Sequence, residues 1–169
     1  MFNTPRRMSG AMLRGLGADP MSAMDLGSNG QPIVAEDFFT YEVDIAGLVN
    51  GTTAPAAILI DAQSDFLWQK ACFLADIAAA IQTDSSRVVP LCSILITDGT
   101  SQRQLMQSAM PIPSLFGTGN LPFILPVPRV FTAQSQVQLS VANFSVGTTY
   151  NLRLSFIGLK RFLRGAARL

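Results

Sequence analysis

The chain has 169 residues, 49% of them hydrophobic and 14% charged, which is enough for one core of ordinary size and too little for two. Its mean hydropathy of +0.33 is high, yet no stretch approaches the roughly 20 uninterrupted apolar residues that a bilayer-spanning helix needs, so the apolar excess is expected to be buried between subunits. A formal net charge of +1 leaves no footprint for nucleic acid when averaged over the chain.

The average conceals a segregation. Residues 1–17 carry Arg6, Arg7 and Arg14 and no acid, residues 160–169 carry Lys160, Arg161, Arg164 and Arg168 and no acid, and all eleven acidic residues lie between. Basic ends and an acidic body suit head-to-body contacts between copies. Cys72 and Cys92 each sit in an apolar run and are expected to be buried free thiols. The start Met1-Phe2-Asn3-Thr4-Pro5-Arg6-Arg7 has no apolar run behind its charges. That predicts no secretory signal, and assembly in a host cytoplasm.

Residues 1–32 hold five of the seven methionines, Pro5, Pro20 and Pro32, and a single aromatic. Such a composition cannot organise a core, so the segment is expected to be an extended or disordered arm, with methionines as adaptable apolar contacts if it orders on a neighbour. Ordering it would cost about 1–2 kcal/mol per residue, which demands a large contact surface.

From Ile33 the pattern changes. Residues 38–45 alternate like a strand with one buried face, residues 47–55 read as a turn, and Ala57-Ile58-Leu59-Ile60-Asp61 follows as a short apolar run. The segment 65–81 is ambiguous, because its alanines and the spacing of residues 66, 73, 77 and 81 suit a helix whereas its aromatics suit a sheet. Strands are predicted over 67–81 and 87–97, the second closing at the Asp98-Gly99 turn. Prolines at 111, 113, 122, 126 and 128 predict a long packed loop crossing one end of a sandwich, with no long regular element between 110 and 128. Residues 135–141 and 150–158 alternate polar with apolar on either side of a turn at 145–149, a pattern that predicts a hairpin.

Chemistry is thin. The chain has no histidine, so imidazole-based triads and imidazole metal sites are excluded, and the spacing of the two cysteines matches no zinc pattern. Asp61 and Asp65 form a close acidic pair beside aromatics, and both read better as residues closing turns or strand ends than as glycosidase carboxylates. Gly117-Thr118-Gly119-Asn120 lacks the helix and lysine of a phosphate cradle. Trp68 and the phenylalanines at 66, 73, 116, 123 and 131 read as core, since no basic groove accompanies them. Lys160 to Leu169 has four cations with Phe162, Leu163 and Leu169, but it is short and broken by Gly165 for a membrane-active helix. No catalytic residue, cofactor or metal is therefore expected.

One ordered set of segments remains: Asp65-Phe66-Leu67-Trp68, Thr97-Asp98-Gly99, Arg103-Gln104-Leu105-Met106, Leu115-Phe116-Gly117-Thr118-Gly119 with Pro122 and Pro128, Val141-Ala142-Asn143-Phe144-Ser145, and Phe156-Ile157-Gly158-Leu159-Lys160-Arg161-Phe162. Together they resemble tailed-phage virion proteins of jelly-roll type, either capsid decoration (cement) proteins or neck and tail accessory proteins. The likeness covers residues 36–162, and no single motif in it is diagnostic. It implies an all-β fold, a single jelly-roll-like β-sandwich with an extended N-terminal arm, and structural duty through self-association.

The expected organisation is an arm over 1–32, a sandwich over 33–159 and a basic tail over 160–169. The expected role is non-enzymatic: capsid decoration on the virion, through contacts with the major capsid protein or other virion proteins. Interface residues are expected to be Arg6, Arg7, Met8, Met12 and Arg14 in the arm and Arg161, Phe162 and Arg164 at the other end. A homo-oligomer, by analogy a trimer, is expected, with no specific nucleic acid and no membrane partner. The alternatives are a neck, tail or fibre-base protein, distinguished by copy number, and a carbohydrate-binding sandwich using Trp68, Tyr150 and the loop 111–128.

Overall fold

Alternation of buried and outward-facing residues governs several of the strands. In Gln136–Asn143, for example, Val137, Leu139 and Val141 are buried while Gln136 and Gln138 are exposed. A computed structural model of the chain describes Gly30, residues 33–77 and residues 88–163. The expected arm, apart from Gly30, and residues 164–169 lie outside the described residues. The strands in chain order are β1 (Ile33–Leu48), β2 (Thr53–Leu59), β3 (Ser64–Asp76), β4 (Cys92–Asp98), β5 (Arg103–Gln104), β6 (Met110–Pro111), β7 (Phe123–Phe131), β8 (Gln136–Asn143) and β9 (Tyr150–Leu163). One helical turn, α1 (Ile112–Leu115), precedes β7.

All ladders are antiparallel and fall into two sheets, one ordered β1-β9-β3-β7 and the other β2-β8-β4-β5, with β6 also on β4. Long strands therefore alternate between sheets along the chain, which is the winding of a jelly roll. The all-β sandwich expected from the sequence is observed.

The core lies between the sheets. Trp68 packs on Phe156 at 4.9 Å between ring centroids, Phe116 meets Phe156 edge-on at 5.4 Å and Tyr41 meets Phe66 edge-on at 4.8 Å. Gly158 is required where β9 passes the bulge in β3: a Cβ there would stand 2.0 Å from the Leu67 carbonyl oxygen.

Several elements differ from expectation. The segment expected as a strand over 67–81 is β3, Ser64–Asp76. Its alanines do not make it helical, because it lies between β9 and β7 and both of its edges are paired. The next strand begins at Cys92 rather than 87. Residues 123–128, expected within a long loop, belong to β7. Pro126 and Pro128 are accommodated because β7 is an edge strand, where alternate amides need no sheet partner. The expected 135–158 hairpin is not one: β8 and β9 are both strands, but they belong to different sheets and the 144–149 turn carries the chain across the sandwich. Strand β9 also runs to Leu163, past the boundary expected at residue 159.

Candidate interaction surfaces

Winding of this kind sorts the connections onto two ends. The β1–β2 turn (49–52), the described parts of the β3–β4 connection (77 and 88–91), the stretch entering β7 (116–122) and the β8–β9 turn (144–149) lie at one end. They are stitched together there. Phe144 N–H donates to the Leu91 carbonyl at 3.1 Å, Gly51 N–H to the Asn143 carbonyl at 2.8 Å and Phe73 N–H to the Gly117 carbonyl at 2.8 Å.

These connections expose Val49, Ile77, Val89, Leu91, Leu121, Phe144 and Val146, with Leu121 79% and Val146 98% accessible. The loops at the opposite end, 60–63, 99–102 and 132–135, expose no large apolar side chain. Ile33 pairs with Leu163 at that second end, so the described chain both enters and leaves there. The connections are therefore apolar at one end and polar at the other, where Leu59 at the close of β2 is the large apolar side chain left 70% exposed beside them.

The outer faces of the two sheets also differ. On β1-β9-β3-β7, Arg153 makes a two-pronged ion pair with Asp44, at 2.6 Å from Nε and 2.8 Å from Nη2, and Arg161 Nε lies 2.8 Å from Glu36. The Arg153 guanidinium holds the Asp44 carboxyl below its ordinary pKa, chiefly by hydrogen bonding, and the pKa of Arg153 is itself raised by the same contact. Between these rungs Phe38, Leu159, Leu67 and Val130 align across all four strands. On β2-β8-β4 the outward positions, such as Pro55, Ala57, Leu95, Gln138 and Ser140, carry no charge.

Titratable groups nearer the interior are engaged. The Asp65 carboxylate, on a buried residue, accepts from the Ala133 N–H at 2.9 Å and so fastens the β7–β8 turn. Lys160 pairs with Asp61 and stands 3.4 Å from the centroid of the Phe39 ring. Tyr41 Oη accepts from the Asp61 N–H at 3.3 Å, and burial raises the tyrosine's pKa. The Asp61–Asp65 pair thus serves to secure two turns. Among the described residues no three His, Cys, Asp or Glu side chains gather as metal ligands, and no helix is long and apolar enough to cross a membrane.

Of the residues expected at interfaces, two are described. Arg6, Arg7, Met8, Met12, Arg14 and Arg164 lie outside the described residues. Arg161 is committed to the Glu36 rung, and Phe162 is half-buried opposite Ala35 and Ser64. The alternative of a carbohydrate platform at Trp68 and Tyr150 is corrected, since both side chains are buried, at 3% and 5% exposure, with Trp68 in the core as expected. The apolar tip was not anticipated. Its signal in the sequence is the presence of Val49, Phe144 and Val146 within segments that otherwise read as turns.

No protein-family model matches the chain, and no curated protein does. Among solved structures, the chain is similar to the infectious bursal disease virus VP2 subviral particle, at 12% identity and a TM-score of 0.35. That likeness covers 81% of this chain and 36% of the other, so the chain spans about a third of that protein's length.

Proposed function

We propose that this protein is a non-enzymatic structural component of a virion, a capsid decoration (cement) protein of a tailed phage that works by burying surface against shell subunits. The observation that carries this reading is the apolar tip: seven exposed large hydrophobic residues on the connections gathered at one end of a jelly roll, whereas the described loops at the other end expose none. Burying apolar surface contributes about 25 cal/mol per Å² before association costs, and an interface of about 1,600 Å² is ordinary for a specific complex. The resemblance of residues 36–162 to phage virion proteins points the same way. So does the frequency of jelly rolls among shell proteins, although that fold also serves lectins and enzymes.

Particle binding by a tip variant tests the proposal. Phe144→Ser combined with Val146→Asp should leave the folded protein intact and lower occupancy on otherwise complete particles at least about tenfold, the equivalent of 1.4 kcal/mol. Unchanged occupancy would remove the tip from the account. Quantifying copies per particle then separates a decoration protein, present in proportion to the shell lattice, from a neck, tail or fibre-base protein present in few copies.

A further inference from the structure

We propose that two copies of this chain pair edge to edge through β1, antiparallel about a two-fold axis at Phe38, so that their four-stranded sheets join into one continuous sheet. The inference goes beyond the proposed role of the tip, which lies in other residues.

The edges of the two sheets are not alike. Strand β7 carries Pro126 and Pro128, β2 carries Pro55, and β5 and β6 are two residues each, all devices that discourage a further strand. Strand β1 has 16 residues and no proline, and among the described residues it pairs with β9 alone. Its register with β9 shifts only near its ends, before Ala35 and after Ile45. An edge so long and regular is a template for strand addition. Since the other described edges are obstructed, the edge on a second copy that can meet it is β1 itself. Such an isologous contact closes at two copies, in place of the trimer expected by analogy.

Charge leaves this edge open. Acidic side chains can guard a strand edge, but here Glu36 is held over β9 by Arg161 at 2.8 Å and Asp44 by Arg153 at 2.6 Å. Phe38 stands between these two rungs, 72% exposed, and ends the apolar row that runs through Leu159 and Leu67 to Val130.

The order of residues in β1 selects the register. Residues directly opposite in an antiparallel pair share a face of the sheet, so the axis passes through a residue and not between two. With the axis at residue 37, Asp37 meets its own copy; at 39, Glu36 meets Glu42; at 40, Glu36 meets Asp44; at 42, Glu42 meets its own copy. Each of these sets like charges opposite one another, which is unfavourable. Axes at 38 and 41 avoid it. With the axis at 41, Phe38 would face Asp44, whereas at 38 it faces the same ring of the second copy in a favourable cross-strand aromatic pair, and the two apolar rows become continuous. That axis also sets Ala35 opposite Tyr41, within the stretch of β1 that is free of register shifts.

Sedimentation of the purified full chain at about 100 μM, where a complex of micromolar affinity is formed, should give a dimer. Phe38→Lys changes an exposed side chain and sets like charges on the axis; it should leave the circular dichroism unchanged and raise the dissociation constant at least about tenfold. The tip variant, Phe144→Ser with Val146→Asp, should still dimerise. Spin labels read the register in a Cys72→Ser background, Cys92 being buried. Labels at Glu42→Cys should stand about 26 Å apart along the strands and labels at Asp37→Cys about 7 Å apart, at about 3.3 Å per residue. A monomer, a dimer indifferent to Phe38→Lys, loss of the dimer in the tip variant, or the reverse order of the two label distances overturns the proposal. These measurements use protein without particles, so their failure is distinct from failure of the tip to bind a shell.

Discussion

The side-chain amide of Asn143 donates to the carbonyl oxygen of Leu48 at 2.9 Å, joining the end of β8 to the end of β1 across 95 residues of sequence. The same nitrogen donates to the Thr148 carbonyl at 2.8 Å, and Asn143 Oδ1 accepts from the Ser145 N–H at 2.9 Å. One buried side chain thus holds the two turns that bear Val49 and Val146. Asn143→Leu would leave two carbonyls and an N–H without that partner, and is expected to destabilise the fold by about 2–4 kcal/mol. Urea denaturation followed by the fluorescence of the single, buried Trp68 measures it. A cost below about 1 kcal/mol would mean the turns are held by other contacts.

The Asp44–Arg153 pair predicts a small acid dependence. Its carboxyl has a folded-state pKa below the unfolded value. The stabilisation is therefore complete above the unfolded pKa of about 3.9 and is lost as pH falls through the folded value. The Arg153 and Asp44 side chains are 31% and 48% exposed, so the coupling is discounted to about 0.2–1 kcal/mol. Stability of the native chain should fall more steeply below pH about 4 than that of Asp44→Asn. Parallel curves would show that the pair contributes nothing measurable.

Substituting Gly158 by alanine forces a methyl group against the Leu67 backbone, where the nearest oxygen would stand 2.0 Å away. Backbone in a central strand cannot yield as a flexible side chain does, so about 2–3 kcal/mol should be lost. Alanine at exposed Gly119, where a Cβ meets nothing within 4 Å, is the matched control and should change stability by less than about 0.5 kcal/mol. Equal midpoints for the two variants in thermal unfolding would refute the close approach.

The two thiols should react differently. Cys92 is fully buried and desolvation pushes its pKa up to about 11, while Cys72 is partly exposed and free. At pH 8 an aromatic disulfide reagent should titrate one thiol in the native protein and the second only on unfolding. Cys72→Ser should abolish the fast phase, and its persistence in that variant would place Cys92 at the surface.

How much of this was legible beforehand follows from the range over which each signal acts. The alternation in residues 135–141 and 150–158 located two strands, since side-chain direction repeats every second residue whatever the partner. It could not say that β8 pairs with β2 and β4 while β9 pairs with β1 and β3, because the choice of edge depends on residues far away in the sequence. Similarly, Pro126 and Pro128 pointed to a loop, and only the edge position of β7 makes a strand tolerable there. Trp68 read correctly as core from its apolar neighbours, whereas Tyr150 did not, its burial arising where β9 crosses Leu48 of β1.

The segregated charges show the same division. The order of residues alone determined that acids precede Gly99 and that the charges of the last third of the chain are all basic, and periodicity alone located strands within 38–45, 135–141 and 150–158. Pairing the first long strand with the last then brought Glu36 to Arg161 and Asp44 to Arg153, turning much of that segregation into rungs within one molecule. The winding of the sheets likewise gathered Val49, Val89, Phe144 and Val146 from separate turns onto one tip. Local pattern specifies which way each side chain points, whereas proximity between distant segments exists only after the sheets have closed around a shared core.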